Sequence, residues 1–365
     1  MLNYYINFPS VSEYIFVDLH AEQAYGSIDM QSSSDKFERG IHARTLTQSV
    51  INNIYISLQT DISLMNSKVV IVDFKHLEAI QPNLSETFVK IIKLILTVTN
   101  RIFLVNIDDD IMTDVSKLIK GIKEQCSSTM PQLITQDNRI IYALYDVGRG
   151  ESLPKNWTTI KEMLFNQMLE SYLGSVTKDL EDELTSSPVY ANKYIDIKRL
   201  IENTKLCNYS IYLLGIKIKN KFLKENNSIK LFCQSLNSSY IAIILSRLLC
   251  IDLVFIDHLG PIANLYKMKS ATFIPNNEYI IVSDVICLGT ETKRVESVIQ
   301  INGGTCIGNA CIVQCKSTKR IQENNCALLT ITEQYNPLNY FIYTDFCNVC
   351  ERGAKRAKAS NSSSV

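Results

Sequence analysis

The residues best suited to chemistry lie in the segment YIIVSDVICLGTETKRVESVIQINGG, residues 279–304. The apolar run 279–283 predicts a buried strand, which would place Asp284 at the carboxyl end of that strand. A carboxylate in this position can accept hydrogen bonds from two hydroxyl groups of a sugar, and Ser283 stands directly before it. These two residues therefore predict a ribose site, with Asp284 as its central acid.

The turn that follows has the composition of an anion-binding turn. Gly289 can adopt a positive φ angle, which allows consecutive backbone N–H groups to face one ligand. The next predicted helix adds its positive N-terminal end, and Gly303 and Gly304 would stop that helix. The residues that we expect around a phosphate group are Cys287, Leu288, Gly289, Thr290, Glu291 and Thr292. Glu291 would repel phosphate if its side chain pointed inward.

The elements around this segment alternate between strand and helix. We predict a helix over 206–225, a strand over Ile229–Cys233, a helix over 239–249 and strands over Leu253–Asp257 and Cys306–Val313. In a doubly wound parallel sheet, ligands bind beyond the carboxyl ends of the strands. The predicted fold class is therefore α/β, with Asp284 and the turn after it on the ligand-binding edge of the sheet.

Residues 186–315 resemble the type I phosphoribosyltransferases, and the orotate phosphoribosyltransferases most closely. The resemblance is carried by the order of the elements and by the match of Ser187, Pro188, Tyr194, Asp196 and Lys198 to a Ser-Pro-x-Tyr segment leading into Tyr-x-Asp-x-Arg. It implies a doubly wound fold, a phosphorylated ribose compound or nucleotide as ligand, and Asp284 as the catalytic residue. It also implies Mg²⁺ bound together with 5-phosphoribosyl 1-diphosphate (PRPP), and a homodimer.

The same resemblance assigns pyrophosphate contacts to two loops. The first, CQSLNSSYIA, has no glycine, and its candidate donors are uncharged: Ser235, Asn237, Ser238 and Ser239. In the second, Asp257 and His258 stand where the family favours Arg and Lys, so Lys267 and Lys269 are the remaining basic candidates. Uncharged donors would bind pyrophosphate and Mg²⁺ weakly.

The chain thus departs from the family pattern at three places. Ser283 replaces the first of two adjacent acids, one glycine of the phosphate turn is absent, and the pyrophosphate contacts lack charge. Together these departures favour a regulatory protein that binds a phosphoribosyl compound or nucleotide without catalysing transfer. Two alternatives remain open: an active PRPP-dependent pentosyltransferase of the orotate type, and a protein-interaction scaffold.

The N-terminal residues 1–148 predict a separate α/β domain. A long helix within 35–59 precedes strands at Lys68–Phe74, Arg101–Ile107 and Arg139–Leu144, and Asn83 with Glu86 predicts a capping box. This order resembles the STAS-like domains related to anti-anti-sigma factors, which implies a protein or small-ligand partner. We therefore predict a STAS-like domain (1–148), a helical connector (149–185), a phosphoribosyltransferase-like domain (186–335) and a tail (336–365).

Composition excludes some other classes of partner. Lys+Arg and Asp+Glu are both 37, so no basic excess indicates nucleic-acid binding. No apolar run reaches the roughly 18–20 residues that span a bilayer, and no signal peptide is evident, which predicts a cytoplasmic protein. Cys347 and Cys350 form half of a zinc-binding pattern, and without a second pair we do not expect zinc.

Overall fold

The computed structural model describes residues 5–6, 14–19, 45–61, 69–75, 77, 79–97, 99, 101–125, 129–136, 139–146, 153, 155–179, 190–223, 229–233, 235–249, 251–255, 276–315, 324–332 and 334–343. Lys267, Lys269, Cys347 and Cys350 lie outside these residues. The chain divides into two compact units. The first comprises Met1–Met168, Thr204–Gly215 and Ile243–Ile251, and the second comprises Leu169–Asn203, Ile216–Ala242 and Asp252–Val365.

The N-terminal part of the chain alternates between strands and helices. In chain order its elements are β1 (Tyr5–Ile6), β2 (Tyr14–Asp18), β3 (Thr45–Leu46), α1 (Gln48–Asp61), β4 (Val69–Asp73), β5 (Ala79–Ile80), α2 (Ser85–Leu96), β6 (Arg101–Val105), α3 (Asp109–Gln125), β7 (Thr129–Gln136), β8 (Arg139–Asp146) and α4 (Trp157–Val176). The predicted strands at β4, β6 and β8 are confirmed, whereas β7 was not predicted.

The first unit is built on a mixed six-stranded sheet of order β1-β2-β4-β6-β8-β7. Strands β2, β4 and β6 run parallel, and β1, β8 and β7 each pair antiparallel to a neighbour. Helices α1, α2 and α3 bury apolar residues against one face of the parallel strands, as in the edge-on contact of Phe74 with Phe88. The α/β class of this unit is thus confirmed, and its STAS-like identity stays a hypothesis.

The start of α2 differs from the predicted capping box. Asn83 has a left-handed backbone with φ of 70°, and α2 begins at Ser85 after Leu84, which makes no side-chain cap. An N-cap residue normally has an extended backbone that aims its side chain at the first helical N–H groups. The prediction of Asn83 as the N-cap was therefore wrong, because this residue turns the chain into the helix instead.

The C-terminal part of the chain carries the second set of elements. They are β9 (Lys178–Asp179), β10 (Tyr190–Ala191), β11 (Lys193–Tyr194), α5 (Ile197–Glu202), α6 (Thr204–Phe222), β12 (Ile229–Cys233), α7 (Leu236–Leu249), β13 (Leu253–Phe255), β14 (Glu278–Ile286), α8 (Thr290–Ile301), β15 (Thr305–Cys315), β16 (Asn325–Ile331) and β17 (Ile342–Tyr343). Within the ranges described above, no helix combines the length and apolarity needed to cross a membrane.

The second unit contains a five-stranded sheet in which every pairing is parallel, with the order β13-β12-β14-β15-β16. The chain moves outward from β12 to β13, returns across β12 to β14, and then proceeds outward in the opposite direction. Because parallel crossovers are right-handed, this order puts α7 and α8 on opposite faces of the sheet. The predicted doubly wound architecture is therefore confirmed, and its strand order reverses between β12 and β14.

Residues 336–343 belong to the packed part of the second unit. Leu338 and Tyr340 are buried, and β17 pairs antiparallel with β10. Asn192, which follows β10, holds the segment before β17 in place. Its side chain accepts a hydrogen bond from the Phe341 N–H at 2.6 Å and donates one to the Asn339 carbonyl at 2.8 Å. Residues 338–343, which the sequence predicts to lie in the tail, are therefore packed against other elements of the second unit.

Substitution by alanine is expected to have opposite effects on stability at two glycines of the second unit. A Cβ atom at Gly308, in β15, would overlap the backbone oxygen of Asn324 and lie 2.6 Å from the Phe222 ring. A Cβ at Gly174, in α4, would meet only Leu338 at an ordinary 3.9 Å. Gly308→Ala should therefore lower the free energy of unfolding by about 2–3 kcal/mol, as overpacking does. Gly174→Ala should raise it by roughly 0.5–1 kcal/mol, because alanine favours a helix interior.

Hydrogen exchange of β15 amides, followed by mass spectrometry, measures the first effect, and exchange of the last turns of α4 measures the second. Equal protection of β15 in wild type and Gly308→Ala would contradict the packing of this strand.

Candidate functional site

The candidate site lies where the strand order reverses, between β12 and β14. In doubly wound sheets of this order, the crevice that takes ligands opens at the carboxyl ends of these two strands. Their pairing ends with Cys233 opposite Val282, and β14 continues alone on that side to Ile286. Among the described residues, 283–286 therefore have no strand partner on that side, and Asn237 near the start of α7 reaches Asp284 there.

Asp284 lies in this extension of β14. The prediction that the strand ends before Asp284 was wrong, because pairing with β15 continues through Val285 and Ile286. Ser283 and Asp284 are both half-buried. Asp284 Oδ2 accepts a hydrogen bond from Asn237 Nδ2 at 3.2 Å, and its Oδ1 accepts one from the Val285 N–H at 2.9 Å. The predicted acid and one predicted donor of the pyrophosphate loop are thus brought together.

Tyr194, which the sequence marks only as part of the family resemblance, lies within electrostatic range of the same carboxylate. Burial raises the pKa of the Tyr194 hydroxyl, and the nearby carboxylates of Asp196 and Asp284 raise it further. Asp196 is buried, its Oδ2 lies 3.5 Å from Lys178 Nζ, and its Oδ1 has no hydrogen-bond partner among the described residues. The Tyr194 hydroxyl is therefore within electrostatic range of Asp284 and of Asp196.

The turn after β14 has the backbone conformation expected of an anion-binding turn. Gly289 precedes α8 with φ of 71° and ψ of 14°, a left-handed conformation that favours glycine. The first N–H groups of α8 have no carbonyl partner within the helix, so they can bind an anion. Thr292 is buried, and its hydroxyl donates to the Gly289 carbonyl at 2.8 Å, which stabilises the turn.

The remaining members of the turn differ in exposure. Thr290 and Glu291 are exposed, whereas Leu288 is half-buried. Because water surrounds the Glu291 carboxylate, its repulsion of a phosphate group is small. Because Thr290 is exposed to solvent, its hydroxyl can donate a hydrogen bond to a ligand beside the first N–H groups of α8.

Cys287 opens the turn and has two polar neighbours. Its sulfur lies 3.2 Å from the Tyr340 hydroxyl, and the Cys315 thiol also hydrogen-bonds to it. The hydrogen bond from Cys315, and secondarily that from Tyr340, holds the pKa of Cys287 below its ordinary value, although burial opposes this shift. Neither Cys315 nor Tyr340 was predicted as part of the site.

The polar side chains after β12 are occupied by hydrogen bonds within the protein. Ser238 is buried and bonds to Cys233 and Ser235, and the Ser239 hydroxyl donates to the Leu236 carbonyl. Asn237 donates to Asp284. Leu236, the first residue of α7, is 82% exposed, so an apolar side chain faces solvent at the start of this helix.

Side chains that bind metal ions do not cluster among the described residues. Across the described ranges, no group of three or more His, Cys, Asp or Glu side chains could hold a metal ion. Mg²⁺ often binds proteins through one or two carboxylates and takes its other ligands from substrate phosphates and water. Asp284 can supply one such carboxylate, so the residues fit Mg²⁺ only as an ion that arrives with a phosphorylated ligand.

Comparisons with known proteins give remote structural matches. No protein-family model matches the chain, and no curated protein matches it in sequence. An adenine phosphoribosyltransferase from Thermoanaerobacter pseudethanolicus aligns with 13% identity over 44% of this chain and 99% of that chain, with a TM-score of 0.35. An orotate phosphoribosyltransferase from Aeropyrum pernix aligns with 17% identity over 46% of this chain and 93% of that chain, also with a TM-score of 0.35.

The Mycobacterium tuberculosis H37Rv orotate phosphoribosyltransferase, solved with inorganic phosphate, aligns with 14% identity over 46% of this chain and 96% of that chain, with a TM-score of 0.33. The doubly wound architecture described above rests on the strand order of this chain itself.

Proposed function

We propose that the second unit binds a phosphoribosyl compound or nucleotide at the carboxyl end of β14, and that it no longer transfers the phosphoribosyl group. Asp284 would accept hydrogen bonds from the ribose hydroxyls, and the N–H groups of the turn 287–292 would hold the 5-phosphate. The observation that carries this proposal is the left-handed Gly289 at the start of α8, directly after a strand extension that presents Asp284. A sugar hydroxyl pair and a phosphate group can thus be bound by adjacent residues of one strand and one turn.

The loop after β12 supports the loss of catalysis. Phosphoribosyl transfer from PRPP requires a protein that positions the diphosphate and stabilises its charge. Here the side chains of Asn237, Ser238 and Ser239 already bond within the protein, and Leu236 projects into solvent. Phosphate groups bind most strongly to charged donors, which these residues do not provide.

Mg²⁺ would enter this site only with a diphosphate ligand such as PRPP. Asp284 would be its protein carboxylate, either directly or through water. The metal would neutralise charge on the diphosphate, and a nucleoside monophosphate would bind without it. We therefore expect the binding of a nucleoside monophosphate to be insensitive to removal of Mg²⁺.

The proposal extends to the whole protein in a regulatory role. The first unit would bind a protein partner, as the STAS-like resemblance implies. A homodimer and a cytoplasmic location are parts of the same proposal.

Binding and turnover can be measured separately on the full-length chain. Calorimetric titration with ribose 5-phosphate, a nucleoside monophosphate, and PRPP with Mg²⁺ should give saturable heat. Incubation with PRPP, Mg²⁺ and a panel of purine and pyrimidine bases should release no more pyrophosphate than a sample without protein. Base-dependent pyrophosphate release would establish the active-enzyme alternative, and the absence of heat with every phosphorylated ribose would favour the scaffold alternative.

A further inference from the structure

Cys287 and Cys315 occupy neighbouring ends of two parallel strands. β14 and β15 pair through Val285 with Val313 and through Ile286 with Gln314; the next residues in the chain are Cys287, directly after β14, and Cys315, the last residue of β15. Adjacent strands lie about 4.8 Å apart, which falls within the roughly 4.4–6.8 Å Cα separation of disulfide-bonded cysteines. Residues that pair across neighbouring strands direct their side chains to the same face of the sheet, so the register of Ile286 with Gln314 brings the Cys287 and Cys315 side chains to one side.

These two thiols differ from the other described cysteines in their surroundings. Cys207, Cys233, Cys311 and Cys326 are buried, whereas Cys287, Cys306 and Cys315 are partly exposed, and of these three only Cys287 and Cys315 follow one another across the β14–β15 register. Burial raises the pKa of Cys207 to about 12 and that of Cys306 to about 11. The pKa of Cys287 moves in the opposite direction, since the Cys315 thiol and the Tyr340 hydroxyl stabilise its thiolate. A thiolate is the reactive form of cysteine, so Cys287 is the expected nucleophile of the pair.

We propose that Cys287 and Cys315 are a reversible oxidation site, in which a peroxide converts the two thiols to a disulfide. The Cys287 sulfur attacks one peroxide oxygen, the O–O bond breaks, and a sulfenic acid and one molecule of water (or alcohol) result. The Cys315 sulfur then attacks the sulfenic sulfur, the S–S bond forms, and a second water leaves with the hydroxyl oxygen. The two thiols lose two electrons to the peroxide, and a dithiol reductant reverses the reaction by exchange.

Oxidation would change the contacts of the turn that begins at Cys287. The Tyr340 hydroxyl would lose its thiolate partner, while the Tyr340 backbone would stay held by Asn336 through hydrogen bonds of 2.8 and 2.7 Å. The disulfide would fix the first residue of the turn to the end of β15. A resulting change in phosphate affinity rests on the proposed function, whereas formation of the disulfide does not.

Peptide mapping tests the oxidation site without any ligand. The full-length protein carrying Cys347→Ser and Cys350→Ser, which removes the C-terminal pair from competition, is treated with hydrogen peroxide and digested without reduction. We expect one predominant cross-linked peptide pair, joining residues 287 and 315 with the loss of two hydrogen atoms, and its disappearance after dithiothreitol. Cys287→Ser or Cys315→Ser should abolish it, and Cys306→Ser, a matched change on the same strand, should retain it. Absence of the 287–315 cross-link in folded protein would overturn the proposal.

Tyr340→Phe tests the hydroxyl as a positioning group. The polar groups that act on Cys287 are Cys315, Tyr340, Asp284 and Glu291, and of these the two carboxylates disfavour the thiolate. Removal of the hydroxyl should move the pH midpoint of Cys287 alkylation upward and slow cross-linking at neutral pH. An unchanged alkylation profile would show that Tyr340 does not stabilise the thiolate, and would contradict this part of the proposal.

Calorimetry of the reduced and oxidised forms separates the oxidation site from the proposed function. A changed affinity for ribose 5-phosphate after cross-linking supports coupling between them, and an equal affinity in both forms contradicts it. If neither form binds any phosphorylated ribose, the proposed function fails although the cross-link stands.

Discussion

Asp284→Asn is expected to weaken the binding of ribose 5-phosphate by about 10- to 150-fold. A hydrogen bond to a charged group contributes about 1.5–3 kcal/mol, and each 1.4 kcal/mol corresponds to a factor of ten in affinity. The substitution removes the charge but keeps the shape of the side chain. The one amide oxygen can still accept the hydrogen bond that Asn237 now donates, whereas the hydrogen bond from the Val285 N–H is lost. Because Val285 is only half-buried, we expect the fold around β14 to survive. Calorimetric titration of both proteins under one buffer condition measures the effect.

Asp252→Asn is the matched control for this substitution. Asp252 precedes β13, its side chain is 65% exposed, and it pairs with Lys230 at 3.3 Å. Because it lies before the amino end of its strand, away from the ligand-binding edge, the same chemical change should leave affinity unaltered. Equal affinities of wild type and Asp284→Asn would show that this carboxylate does not contact the ribose.

Lys161→Met is expected to lower the free energy of unfolding of the first unit by about 3–5 kcal/mol. Asp73, at the end of β4, is buried, and its Oδ2 accepts a hydrogen bond from Lys161 Nζ at 2.9 Å. Its Oδ1 accepts hydrogen bonds from Asn106 Nδ2 at 2.8 Å and from the Lys75 N–H at 3.0 Å. Removal of the lysine would leave the carboxylate buried without its cation, and this uncompensated charge is the physical cause of the loss.

The only tryptophan in the chain gives a local measure of this effect. Trp157 is buried one helical turn before Lys161, so its fluorescence during urea denaturation follows the first unit. Lys161→Met combined with Asp73→Asn removes the unpaired charge and should recover part of the lost stability. Glu86→Gln, which breaks the exposed pair with Lys90, should produce a far smaller change. If Lys161→Met and wild type have the same urea midpoint of denaturation, the buried ion pair contributes little to the stability of the first unit.

The sequence predicted the elements of the second unit better than their lengths and contacts. Apolar periodicity located β12, β14 and α8, and Gly289 and Gly303 marked both ends of α8 because each has a positive φ angle. The end of β14 could not be predicted, because it depends on pairing with β15 beyond the point where β12 stops. Local composition contains no information on such a mismatch in strand length.

Contacts between distant residues were missed for the same reason. Tyr194 near Asp284, and Cys315 and Tyr340 beside Cys287, come from separate elements that only the folded chain brings together. Their residue types alone gave no signal, since the chain contains 18 tyrosines and 11 cysteines. In the first unit, Asn83 has a residue type typical of an N-cap, and its left-handed backbone became evident only from the structure.

The most direct test of the central claim is a crystal structure of the protein with ribose 5-phosphate. We predict that the phosphate group binds the backbone N–H groups between Leu288 and Thr292, and that the Asp284 carboxylate accepts hydrogen bonds from the ribose hydroxyls. Density for the sugar phosphate at another place, or an unliganded turn at a saturating concentration of ribose 5-phosphate, would contradict the account.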